Sequence, residues 1–172
     1  MSHFPILPPP LPEWEGLHPL VVHLPIALLL VAPLFVLLGF LPRVGGGFRL
    51  TALMLFVLGT VGAYVAVESG EASAQIINFT PEARETLERH AGLAETARLL
   101  FTILTALYGL TLALPLLVRK LWSKSLPRVV SNLLMVLVIV AAGLCMNVLA
   151  NAADLGGRLV YVHRVENWVL GS

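Results

Sequence analysis

Of the five histidines in this 172-residue sequence, His18, His23, His90 and His163 are the residues whose type and placement best suit chemistry. Imidazole titrates near neutral pH and is the side chain suited to iron, copper or zinc. His23 is embedded in the apolar run Val21-Val22-His23-Leu24-Pro25-Ile26, and an ionisable residue inside such a run is a functional candidate by default. His18 and His23 are five residues apart, about 140° around a helix, so they do not share one face as an i,i+4 pair does. That spacing weakens a compact zinc site within one helix and suits two histidines aimed at different partners. The plainer alternative is that histidine is comfortable at a membrane interface: His18 could cap a helix and His163 could lie on a surface tail. Other chemistries lack the residues to carry them. The single cysteine, Cys145, lies in an apolar run and reads as a small packing residue, so neither an internal disulfide nor a CxxCH haem attachment is possible. No phosphate loop, nucleophile elbow or HExxH motif occurs.

The elements that must position these histidines are set by composition. Hydrophobic residues make up 58% of the chain and charged residues 12%, with a mean hydropathy of +0.88. That leaves too little polar surface to cover a water-soluble globule and makes the lipid bilayer the expected solvent. The net charge of +1 gives no reason to propose nucleic-acid binding. The pattern predicts an all-α, four-helix transmembrane bundle at 18–151, preceded by a proline-rich arm at 1–17 and followed by an interfacial tail at 152–172. The first helix is expected over 19–41, with Pro19 at its first position and Pro25 and Pro33 bending it. It has no basic flank or cleavage site before it and reads as an uncleaved span rather than a signal peptide. A glycine-rich turn at 43–49 leads to a second helix over 50–67, and a polar loop is expected at 68–79. Thr80-Pro81-Glu82 is a strong helix start. The third helix that it opens is amphipathic to Arg98 and apolar to Val118, so it is expected to stand out of the membrane by a few turns. A basic loop at 119–128 precedes the fourth helix, expected over 129–150.

Charge orients the bundle. The two loops joining helices one to two and three to four hold Arg43, Arg49, Arg119, Lys120, Lys124 and Arg128 and no acid, whereas all ten acidic residues fall on the other side. Lys and Arg in short loops stay in the cytoplasm. The expected topology is therefore N-out and C-out, in a bacterial inner membrane with both termini in the periplasm. All four histidines then gather at the outer end of the bundle. Helix bundles build cofactor sites from inward-facing side chains on different helices. Gly59, Gly62, Ala63 and Ala66 on helix two, with Ala141, Ala142 and Gly143 on helix four, leave room for a porphyrin, or else serve close helix packing. Arg84, Arg89, Arg98 and Arg158 lie on the same side and suit haem propionates, or else balance the glutamates of a solvated face. Asn147 and Asn151, one turn apart on helix four, read as interhelical hydrogen-bonding groups. Trp14, Trp168, Tyr161 and Trp122 fit an aromatic belt.

The run His18-Pro19-Leu20-Val21-Val22-His23-Leu24-Pro25-Ile26-Ala27-Leu28 resembles the opening signature of a family of small bacterial membrane proteins, domain of unknown function 2231. The resemblance covers nearly the whole chain. It implies four helices, a histidine before the third span (here His90) and a closing Gly-Gly-x-Leu-Val-Tyr-x-His segment, here Gly156 to His163. Related domains occur alongside c-type cytochrome modules, which implies redox work. The family continues with glycine after the last histidine, where this chain has Arg164.

These readings converge on a membrane b-type cytochrome carrying one or two b haems, with His23 and His90 as one axial pair. His18 and His163 then form the second pair or outer contacts, and Arg89, Arg98 and Arg158 assist. Such a protein moves electrons, as a carrier or as a subunit beside cytochrome c or respiratory or photosynthetic complexes, rather than acting as a stand-alone enzyme. The competing expectations are a zinc or copper protein using the same four histidines, with help from glutamates such as Glu95, and a structural subunit without a cofactor.

Overall fold

The computed structural model describes residues 12–163; most of the arm, together with Arg164, Glu166 and Trp168 of the tail, lies outside the described residues. The protein is all-α. Among the described residues, four helical stretches are long and apolar enough to cross a membrane. The first is two pieces, α1 (His18–Val21) and α2 (His23–Leu38), interrupted at Val22. Pro25 explains the interruption: it has no N–H to give the Val21 carbonyl, and its ring crowds that same carbonyl one turn back. The next backbone bond, from Ile26 N–H to Val22, is stretched to 3.5 Å.

Helix α3 (Gly45–Ile76) is longer at both ends than the sequence pattern implies. The glycines of the expected turn form its first turn, and the segment expected as a polar loop continues the helix almost to its end. Ala and Glu are strong helix formers, and the serines of that segment turn their hydroxyls onto carbonyls instead of capping. Ser69 Oγ donates to Ala66 O at 3.1 Å and Ser73 Oγ to Ser69 O at 2.8 Å. Ser73 also bonds the Glu15 carbonyl, pinning the short 3-10 turn Trp14–Gly16 against α3.

Helix α4 (Pro81–Trp122) begins as the sequence predicts: Thr80 accepts a hydrogen bond from Ala83 N–H at 3.3 Å, and Pro81 occupies the first position. Its 42 residues span about 63 Å, twice the hydrocarbon core. It stops at Ser123, which takes a left-handed φ of 53°. Helix α5 (Arg128–Tyr161) runs past Ala150, through the Gly156-Gly157 pair, into the segment expected as an interfacial tail.

Helices α2 with α3, and α4 with α5, pack as two antiparallel hairpins, and the hairpins meet along α3 with α4 and α2 with α5. Leu29, Val36, Phe56, Phe101, Tyr108 and Met135 fill the shared core, while leucines such as Leu58, Leu116 and Leu144 face outward. That inside-out apolar surface is what a bilayer accommodates. Between α3 and α4, Thr60 and Thr105 hydrogen-bond at 2.9 Å. Tyr108 donates to the Arg49 carbonyl at 3.0 Å, so the span interior leaves no described buried side-chain polar atom unpartnered.

Candidate functional site

Chain direction and helix phase decide which histidines can meet. His18, at the first residue of α1, turns inward to α3, and its Nδ1–H donates to the Ala66 carbonyl at 2.8 Å. His90, in the third turn of α4, turns inward to α5, and its Nδ1–H donates to the Ala152 carbonyl at 2.8 Å. A carbonyl oxygen only accepts, so in each neutral ring the proton sits on Nδ1 and the Nε2 lone pair is left free. The two rings stand edge to face, 6.4 Å apart and 79° between planes.

Each ring also rests on a glycine one turn beyond its carbonyl partner. A Cβ at Gly70 would lie 3.0 Å from the His18 ring, and one at Gly156 would lie 3.0 Å from the His90 ring. That contact gives a physical reason for a glycine inside α5, where the sequence pattern suggested an interfacial tail. The pattern Ala66-x-x-x-Gly70 recurs as Ala152-x-x-x-Gly156, a signal present in the sequence but hidden by the expectation of a loop and a tail at those positions.

The two imidazoles form the common wall of two cavities. The inner one, about 70 Å³, is almost wholly apolar and is floored by Leu29 and Phe101 among alanines. The second, about 260 Å³, lies on the α3–α4 side and is lined by Glu71, Glu88 and Glu95 with Ile77, Phe79 and Leu87. Val67 and Ala94 line both, so the two run together past the histidines.

The remaining expected residues fall elsewhere. His23, expected to pair with His90, is exposed on the outside of α2 and bonds back to the Pro19 carbonyl of its own helical turn at 3.0 Å. The 140° offset that separates it from His18 permits only one of the two to face inward. His163 bonds Thr86 Oγ1 through Nε2 at 3.1 Å, beside the small apolar cluster of Ala83 and Leu159, and lines neither cavity. Arg98 lines the inner cavity, holds Glu68 at 3.4 Å and stacks on Tyr64 at 5.0 Å. Arg158 pairs with Asp154 at 2.8 Å on an exposed surface, and Arg84 and Arg89 are exposed and line neither cavity. Among the described residues, no three His, Cys, Asp or Glu side chains converge as a metal-binding group.

The family model described as predicted membrane protein (DUF2231) matches residues 15–168. No curated protein and no solved structure matches the chain.

Proposed function

The chain belongs to the DUF2231 family of predicted membrane proteins, and on that premise we propose that it is a b-type cytochrome-like protein whose haem is held between His18 and His90. The observation that carries this reading is the paired Nδ1–H bonds to the Ala66 and Ala152 carbonyls. Metal-ligating histidines almost always donate their other ring N–H in this way, which fixes the tautomer and aims the free nitrogen. The donor set fits the group: a low-spin haem needs two axial imidazoles. With ring centres 6.4 Å apart, the two imidazoles are near enough for one metal ion to be held by both free nitrogens. A zinc or copper centre asks for three or four protein donors, so a site of only two inward histidines favours haem over those metals.

Haem supplies reversible one-electron transfer when bound. The chain's own residues set its surroundings. Ala66, Ala97 and Ala152 line the cavity beside the imidazoles with small side chains, and Leu29 and Phe101 add apolar wall. Arg98, held by Glu68, sets its guanidinium at the wall of the inner cavity, while Glu71, Glu88 and Glu95 make the larger cavity acidic. With the basic loops in the cytoplasm, that larger cavity faces the periplasm of a bacterial inner membrane. Its acidity suits a basic electron partner such as a cytochrome c, or a neighbouring subunit of a respiratory or photosynthetic complex.

The test is an absorption spectrum of the detergent-purified chain, air-oxidised and then dithionite-reduced. Sharp reduced α and β bands that disappear in His18→Ala and His90→Ala and persist in His23→Ala are expected. A colourless protein from haem-replete cells overturns the reading; bound stoichiometric zinc or copper would then establish the metal alternative, and neither would leave a structural subunit.

A further inference from the structure

One constant shift along the sequence carries the first span onto the third. His18 falls on His90, Pro25 on Ala97, Leu29 on Phe101, Ala32 on Leu104 and Val36 on Tyr108, and the last four pairs are buried at both positions. A second shift carries α3 onto α5: Ala52 falls on Val138, Phe56 on Ala142, Gly59 on Cys145 and Ala66 on Ala152, again buried at both positions. The shifts differ because the connection from Tyr108 to Val138 is longer than that from Val36 to Ala52.

The inner cavity obeys both shifts. Every residue lining it has its counterpart on the opposite wall, as Val22 with Ala94, Ile26 with Arg98 and Val67 with Ala153. The imidazole seats repeat at the same shifts, Ala66 and Gly70 for one ring and Ala152 and Gly156 for the other. Helical periodicity alone makes burial match at several registers one turn apart. It does not make a carbonyl partner, a ring-packing glycine and a whole cavity lining coincide at one pair of shifts. Two equivalent surfaces that face each other in this way are related by a two-fold axis.

We infer that the chain is a tandem repeat of one helical hairpin, and that the space around its two imidazoles, where the inner cavity joins the larger one, takes a single metal-bearing macrocycle met by His18 and His90 as ligands equivalent under the pseudo-two-fold. This deepens the haem reading and rests on it. It assigns one haem per chain, because the counterparts of His23 and His163 are Glu95 and Ile77, and none of these four lines the inner cavity.

The experiment is haem stoichiometry on the full-length chain saturated with haemin, followed by redox titration. One haem per chain is expected, unchanged in His23→Ala and His163→Ala. Replacing either imidazole with a thioether keeps two axial ligands and raises the potential, so His18→Met and His90→Met should each shift the midpoint upward and each lose the bis-imidazole spectrum. His18→Gly and His90→Gly should both regain that spectrum on adding free imidazole, with unchanged helical circular dichroism showing that the fold is kept. Two haems per chain, a halved content in His23→Ala or His163→Ala, or an effect confined to one of the two ligand positions overturns the inference while leaving a haem protein. No haem at all removes the haem reading itself and the inference with it.

Discussion

Gly156 and Gly70 sit where an added methyl group would meet an imidazole ring at 3.0 Å, closer than relaxed packing allows. The ring must then give by a few tenths of an ångström, against a carbonyl bond of 2.8 Å that holds it in place. Alanine is a better helix former than glycine by about 1 kcal/mol, so the helix and the site pull in opposite directions. Gly156→Ala and Gly70→Ala are therefore expected to leave thermal stability of the haem-free bundle unchanged or raised by up to about 1 kcal/mol, while weakening haem retention on gel filtration and shifting the reduced α band. A variant that loses stability but keeps the wild-type spectrum would show that the glycines serve helix packing rather than the ring. At this scale the histidine positions were legible because residue type is printed in the sequence. Their pairing was not, because whether His18 or His23 faces inward depends on helix phase and on a break at Val22 imposed by Pro25.

Helix ends are decided by local chemistry, and there the sequence speaks directly. Thr80 caps α4 as its type and position predict, and Thr80→Ala should cost about 1 kcal/mol. Hydrogen exchange should show it as faster exchange at the first amides of α4. The His18–His90 site, more than two turns further along, should keep its spectrum. The opposite end of α4 offers a gain. Ser123 holds a left-handed φ of 53°, a conformation costing an L-residue roughly 1–2 kcal/mol, which glycine adopts without that penalty. Ser123→Gly should raise the melting temperature in detergent, by about 1 kcal/mol of stability; an unchanged or lower midpoint would mean that the serine side chain makes a compensating contact. Helix length was less legible than capping. The polar stretch after Val67 reads as a loop by composition, and only its docking against the Trp14–Gly16 turn, with Ser69 fully buried, makes a helix of it.

The whole molecule joins two asymmetries that point the same way. Every acidic residue among those described lies at the histidine end of the bundle, and the basic residues of the two acid-free connections lie at the other. The four-span architecture was legible because lipid demands long apolar helices, whereas the internal repeat was not, since a longer second connection breaks it into two registers and few residue types survive the shift. Orientation is the property on which the electron-transfer reading depends, because it decides whether the acidic cavity meets periplasmic or cytoplasmic partners. The chain permits a clean test: its only cysteine, Cys145, is buried, and Cys145→Ala leaves a background on which single reporters can be placed. Glu82→Cys sits at the histidine end and Ser125→Cys in the basic loop, both exposed. In intact spheroplasts a membrane-impermeant maleimide should label Glu82→Cys at once and Ser125→Cys only after permeabilisation. The reverse pattern would place the histidine site on the cytoplasmic side and exclude a periplasmic partner. Equal labelling of both before permeabilisation would mean leaky membranes or mixed insertion, which a second reporter pair, Glu85→Cys with Lys124→Cys, resolves by whether the two sites still differ in rate.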